Sequence, residues 1–146
     1  MTQHDGLAGD YLSRVRHLEE ELQLKLQYLS TLRTQVPSFA PHERVVGGDM
    51  PDPTAHRALR MEELQQEISA LYSAIDRARR ETERLVLSLP DVRVRTLLEM
   101  RYLGGHKWED IADTLFITPR SALRMHQRAL RTVHALLSER AAQQIK

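Results

Sequence analysis

Hydrophobic positions recur with helical spacing along most of the chain, and no segment alternates with the period of two that marks a half-buried strand. The first stripe advances by alternating steps of four and three residues: Tyr11, Val15, Leu18, Leu22, Lys25, Leu29, Leu32 and Val36. This heptad spacing is typical of a helix that packs against another of the same kind, and Lys25 is its one polar interruption. Pro37 ends the pattern, because proline disrupts a helix interior.

A second heptad stripe begins after a proline- and glycine-rich stretch. Residues 37–54 hold four prolines and two glycines, which predicts a loop or linker, and Thr54 is a candidate cap for the helix that follows. The stripe then comprises Met61, Leu64, Ile68, Leu71, Ile75, Ala78, Thr82, Leu85 and Leu89. Two arrangements remain open: the helices fold back as an antiparallel hairpin, or they pair with a second chain as a coiled coil. We expect a hairpin that also joins subunits through residues 11–36 and 61–89, with a homodimer favoured over larger homo-oligomers.

Leu89-Pro90-Asp91 marks a predicted boundary between an N-terminal helical region, residues 1–89, and a second domain, residues 90–146. A third helix is expected over VRVRTLLEMRYL, and Gly104-Gly105 is expected to end it, because glycine readily adopts the left-handed conformation found at helix ends. The predicted fold class is therefore all-α.

The segment WEDIADTLFITPRSALRMHQRAL, residues 108–130, has the pattern of a helix-turn-helix. Trp108, Ile111, Ala112 and Leu115 share one helix face, and the alanine would allow a close approach of the next helix. Thr118-Pro119 restarts a helix three residues later, since threonine is a good N-cap and proline suits the first helical position. A turn this short is the length that a helix-turn-helix needs.

The second helix of this motif has an apolar face and a basic face. Its inward positions are Ala122, Met125, Ala129 and Val133, and its outward positions carry side chains able to contact bases and phosphates. The candidate DNA-binding residues are Thr118, Arg120, Ser121, Leu123, Arg124, Gln127, Arg128 and Arg131. Arg120, Ser121, Arg124 and Gln127 are expected at base edges and nearby phosphates, because recognition helices lead with their N-terminal half. Arg128 and Arg131 are expected to neutralise phosphates.

The net charge of +1 conceals an uneven distribution that supports a polyanionic partner. From Thr118 onward there are six Lys/Arg and one acid, whereas the preceding 117 residues hold 15 bases and 19 acids. Positive charge concentrated in one segment favours nucleic acid as its partner.

Several residues of this segment also match a known family. Arg101-Tyr102-Leu103, Trp108-Glu109-Asp110-Ile111-Ala112, Leu115, Thr118 and His126-Gln127-Arg128-Ala129-Leu130 resemble region 4 of bacterial sigma factors. They are more similar still to phage late-gene transcription regulators of the RinA/ArpU type, over residues 88–137. The resemblance implies a helical domain whose last long helix enters the major groove and controls transcription, with RNA polymerase as a second candidate partner. Phe116 departs from the family, which usually has glycine or a small polar residue there, and no segment matches the sigma region that reads the −10 element.

Other chemistry is not indicated by the sequence. No catalytic arrangement, phosphate-binding glycine loop or metal-ligand spacing occurs, so we expect no enzyme activity, no cofactor and no metal. No apolar run is long enough to span a bilayer, and there is no cysteine, so a cytoplasmic protein without a membrane partner is expected.

The leading prediction is a sequence-specific, phage- or prophage-derived transcription regulator that binds double-stranded DNA with the helix beginning at Pro119. One alternative is a small-terminase-type subunit that recognises DNA for phage packaging, which would assemble as a larger ring. A second alternative is a helical scaffold that binds only protein. A DNA affinity that depends on salt concentration is expected of the regulator and of the terminase-type subunit, whereas the scaffold is expected to show none.

Overall fold

The computed structural model describes residues 3–34 and 52–145, and every regular element in these ranges is helical. The helices are α1 (Gln3–Thr34), α2 (Pro53–Leu87), α3 (Val92–Leu98), α4 (Trp108–Leu115) and α5 (Pro119–Gln144), and a π-helical turn (Glu99–Leu103) continues α3. The predicted all-α class is thereby confirmed. Val36 and residues 37–51 of the predicted loop lie outside the described residues.

Helix α2 starts earlier than the sequence pattern suggested. The loop was predicted to extend to residue 54, with Thr54 as cap, but Pro53 and Thr54 already belong to the helix. Asp52 is the residue that caps it: its Oδ1 accepts from the Thr54 N–H at 3.0 Å, and its carbonyl accepts from the His56 N–H at 3.0 Å. Aspartate followed by proline at the first helical position is the stronger start signal, which places the cap two residues before Thr54.

The chain divides into two compact units, and each contains part of α1 and part of α2. In unit 2, Glu19–Ala74, the described residues form two antiparallel helical segments. Lys25 Nζ lies 3.0 Å from Glu67 Oε2, and Arg57, nearer the start of α2, donates to the carbonyl of Leu32, nearer the end of α1. The hairpin arrangement is therefore present in this unit within one chain, while pairing with a second chain stays a prediction.

Unit 1, Met1–Leu18 with Ile75–Lys146, has a core drawn from all five helices. Its buried cluster consists of Ala8, Leu12, Leu85, Val86, Leu89, Leu97, Leu98, Ile111, Leu115, Ala129, Leu130 and Val133. Arg14 also fastens α1 to α2, with Nη2 at 2.5 Å from Glu81 Oε2 and 3.3 Å from the Ala78 carbonyl oxygen. The buried cluster thus includes residues on both sides of the predicted boundary at 89/90.

Burial along the helices follows the two predicted stripes. From Leu64 to Leu89 every predicted position of the second stripe is buried, and Met61 is half-buried. In the first stripe Val15, Leu22 and Leu29 are buried, whereas Lys25 is half-buried and ion-paired. Leu12, fully buried, was not part of the predicted stripe.

The end of α3 brings the chain to the start of α4. Asp91 caps α3, its Oδ1 accepting from the Arg93 N–H at 2.9 Å, so Pro90 precedes the helix. The π-helical turn closes with the Gly104 N–H donating to the Glu99 carbonyl at 2.9 Å. Gly105 then takes φ +66°, the left-handed conformation expected at the helix end. In the ranges 3–34 and 52–145, none of the helices has the length and apolar character needed to cross a bilayer.

Candidate nucleic-acid interface

The turn between α4 and α5 is a Schellman motif. The Ile117 N–H donates to the Ala112 carbonyl at 3.0 Å, and the Phe116 N–H donates to the Asp113 carbonyl at 3.3 Å. Phe116 takes φ 57° and ψ 43°, the left-handed conformation that glycine adopts at lower cost. The phenylalanine therefore leaves the turn in a standard shape, and its side chain is 95% exposed rather than packed into the turn.

Arg93 connects α3 to this turn. Its Nη2 donates to the carbonyl of Leu115, the last residue of α4, at 2.6 Å. That carbonyl belongs to the end of a helix, where backbone oxygens lack partners and the helix dipole favours a positive charge. Arg93 thus holds the end of α4 where the chain enters the turn. The sequence pattern did not predict this contact, because Arg93 and Leu115 are 22 positions apart.

Helix α5 begins at the predicted place. Thr118 has extended backbone angles, and its Oγ1 accepts from the Ser121 N–H at 3.1 Å while donating to Ser121 Oγ at 3.0 Å. Pro119 occupies the first turn. The hydroxyls of both candidate DNA-binding residues are consequently engaged with each other, and the immediate role of Thr118 is that of helix cap.

The inward face of α5 packs as predicted. Ala122, Ala129 and Val133 are buried and Met125 is half-buried, and Ile111 and Leu115 of α4 belong to the same core as Ala129 and Val133. Ala112 of α4 is 1% exposed. The alanines Ala112, Ala122 and Ala129 allow α4 and α5 to approach closely. This packing determines which side of α5 faces solvent.

The outward face of α5 carries a stripe that we call the arginine stripe: Arg120, Arg124, Gln127 and Arg131, flanked by Leu123 and Arg128. All six side chains are exposed. Within the part of the chain that the structure describes, none of the four arginines has a hydrogen bond or ion pair to another side chain. From Arg120 to Arg131 the stripe extends about 16 Å along the helix. No acidic residue occurs between Asp113 and Glu139, so the stripe is uniformly positive.

The outer face of α4 has the opposite charge. Glu109, Asp110 and Asp113 are exposed, and no ion pair to any of them occurs among the described residues. Glu109 and Asp110 lie in the first turn of α4, where the helix dipole favours acids. Their exposure on the same side as Asp113 adds a negative surface on α4, next to the positive one on α5, that periodicity alone did not reveal.

An aromatic cluster supports the buried side of α5. The Tyr102 hydroxyl lies 2.5 Å from His126 Nε2, and the Trp108 ring meets the His126 ring edge-to-face with centroids 4.8 Å apart. Arg101 covers the Trp108 ring at 4.7 Å. Partial burial raises the pKa of Tyr102 above its usual value. His126, although on the basic helix, is thus a packing residue, and Trp108 is a core-edge residue rather than a platform for stacking a base.

No protein-family model, curated protein or solved structure matches this chain. Across the described ranges, no group of three or more His, Asp or Glu side chains is placed to hold a metal ion.

Proposed function

We propose that this chain is a sequence-specific DNA-binding transcription regulator that places α5 in the major groove. One observation carries the proposal: the arginine stripe is exposed, and among the described residues its arginines have no hydrogen bond or ion pair to another side chain. It lies on a helix whose other face packs against α4 across a capped three-residue turn. Arginine and glutamine are the side chains that bridge guanine and adenine edges, and the further arginines match phosphates.

The roles follow from position along α5. Arg120, Arg124 and Gln127 lie in the N-terminal half of the helix, the part that enters the groove in helix-turn-helix proteins, and they are assigned to bases. Arg128 and Arg131 are assigned to phosphates. Thr118 and Ser121 hold the helix start, so they contact DNA only at nearby phosphates. The resemblance to phage late-gene regulators adds promoter-proximal sites and RNA polymerase as a second partner.

The proposal is tested by incubating the purified chain with fragments of its source genome and sequencing what it retains. Enrichment of one or a few promoter-proximal sites supports a regulator. Enrichment within a packaging locus favours the small-terminase alternative, and no enrichment at any salt concentration means that the arginine stripe is a solvated helix face.

Residue roles are then tested on a retained site with matched variants. Arg124→Ala is expected to weaken specific binding by about 1–3 kcal/mol, because it removes a bidentate base contact. Arg140→Ala is the control, since Arg140 is an exposed arginine of the same helix, about 30 Å beyond Arg120 and on the opposite side. Equal losses of specific binding for Arg124→Ala and Arg140→Ala would contradict the assignment of Arg124 to a base.

A further inference from the structure

Leu123 is an apolar residue placed beside the arginines of the stripe. Of the large apolar side chains of α5, a helix that the structure describes from end to end, only that of Leu123 is exposed, at 43%. Leu123 belongs neither to the buried cluster of unit 1 nor to the half-buried apolar residues that pack against that cluster. Its exposed part is therefore available to a molecule that contacts the stripe.

The neighbours of Leu123 on the helix surface are the residues assigned to bases. With roughly 100° of rotation per residue, Arg120 lies about 60° from Leu123 around the helix axis and Gln127 about 40°, on the same side. Both of these residues and Arg124 are exposed. Gln127 lies about 6 Å further along the helix than Leu123, which is less than two base-pair steps of DNA. A duplex whose bases are contacted by Arg120 and Gln127 therefore also meets Leu123.

The major groove offers one apolar group to such a side chain. Phosphates and the polar edges of bases are bound through hydrogen bonds or charge, which a leucine side chain cannot supply. Thymine presents its C5-methyl group in the major groove, and apolar side chains contact it there. Glutamine is suited to adenine, whose partner in the base pair is thymine. An A·T pair would therefore satisfy both Gln127 and Leu123.

We propose that Leu123 contacts the 5-methyl group of a thymine, in the base pair contacted by Gln127 or in a neighbouring pair. Leu123 is thus a specificity-determining residue that selects A·T pairs opposite the N-terminal half of α5. The arginines of the stripe select guanine or bind phosphates of any sequence, so they do not supply this preference. The inference rests on the proposed function, because it requires α5 to lie in the major groove.

Deoxyuridine tests the contact directly, because it pairs with adenine as thymidine does but lacks the 5-methyl group. Each thymine of a site retained from the source genome is replaced in turn, and the dissociation constant of each duplex is measured by fluorescence anisotropy. At one thymine the wild-type protein should lose about fourfold in affinity, the loss expected for one buried methyl-sized group. Leu123→Ala should bind the thymine and uracil duplexes equally at that position, because the partner of the methyl group has been removed.

Leu87→Ala is the matched control, since Leu87 is an exposed leucine on α2 and the variant loses the same atoms. It should keep the wild-type sensitivity to the methyl group, and circular dichroism should show unchanged helix content in both variants, because alanine favours a helix. A wild-type affinity indifferent to every thymine methyl, or a Leu123→Ala protein as sensitive as the wild type, would overturn this contact while leaving DNA binding by α5 intact. Failure to retain any site would overturn the proposed function and the contact together, so the two failures are distinguishable.

Discussion

Replacing Phe116 with glycine should stabilise the protein, although it removes an aromatic ring. A non-glycine residue in the left-handed conformation costs roughly 1–2 kcal/mol. At 95% exposure the residue buries only roughly 10 Å², worth about 0.3 kcal/mol at 25 cal/mol/Å². Glycine also gains freedom in the unfolded chain, which costs about 0.4–1 kcal/mol. The expected net effect of Phe116→Gly is a stabilisation of about 0.5 kcal/mol.

Two further variants separate the contributions. Phe116→Ala removes the ring but keeps the unfavourable backbone conformation, so its stability should equal that of the wild type or fall by less than about 0.5 kcal/mol. Phe116→Asn should be at least as stable as Phe116→Gly, because asparagine tolerates the left-handed conformation without the added freedom of glycine. Urea unfolding at one protein concentration gives the free energy of unfolding of the wild type and of the three Phe116 variants.

A loss of more than about 1 kcal/mol in the free energy of unfolding of both Phe116→Gly and Phe116→Ala would refute the expected stabilisation, since the ring would then make contacts that its exposure excludes. Stabilisation by glycine, on the other hand, would mean that the chain keeps a phenylalanine at the expense of stability. Backbone strain that persists without a packing benefit is found at functional sites. The DNA affinity of Phe116→Gly would then show whether the exposed ring contributes to binding.

Three other predictions concern the core, the arginine stripe and unit 2. Thr82 is fully buried and its hydroxyl has no hydrogen-bond partner among the described residues, so Thr82→Val should raise the free energy of unfolding by about 1–2 kcal/mol. A lower free energy of unfolding, measured in urea, would mean that the hydroxyl has a partner after all. The two phosphate-contacting arginines, Arg128 and Arg131, correspond to a slope of about −1.8 in log affinity against log salt, roughly a 12-fold loss between 50 and 200 mM. Arg131→Ala should reduce this slope by about one unit on any sequence, and an unchanged slope would exclude its phosphate contact. Hydrogen bonding from Lys25 lowers the pKa of Glu67 below its ordinary value of 4.5, so this pair stabilises the fold above that pH and the contribution is lost as pH falls through the lowered pKa. The difference in unfolding midpoint between wild type and Glu67→Gln should therefore shrink below about pH 4.5, and a constant difference would mean that Glu67 is not stabilised by Lys25.

The helical elements could be predicted because their signals are local. The spacing of Leu64, Ile68 and Leu71 predicts a buried helix face whatever covers it. Thr118-Pro119 specifies a helix start through the capping hydroxyl of threonine and the fixed backbone angle of proline, both of which are local. The start of α2 was placed too late because two residues, Asp52 and Thr54, can both cap a helix. The Asp52-Pro53 pair is the stronger of the two start signals, and the geometry agrees with it, since the Asp52 carboxylate accepts from the Thr54 N–H.

Contacts between distant residues could not be predicted in this way. Arg93 reaches the end of α4 across 22 positions, and Leu12 joins the core of unit 1 although it falls outside the heptad stripe. The predicted DNA contacts of Thr118 and Ser121 illustrate a further difficulty. A hydroxyl that can bind phosphate can equally bind a neighbouring hydroxyl, and composition does not show which partner is nearer.

The two oppositely charged surfaces of unit 1 restrict how a duplex could approach it. Glu109, Asp110 and Asp113 would repel phosphates along the outer face of α4, while the arginines of α5 would attract them from just beyond the turn. Because the net charge of the protein is only +1, its overall electrostatic attraction to DNA is weak. The separated charges of α4 and α5 would therefore have to orient the protein as it meets the duplex. If the duplex lies along α5, neutralising the acids on α4 should speed association with all sequences alike and leave the preference among sequences unchanged, because those carboxylates face no base.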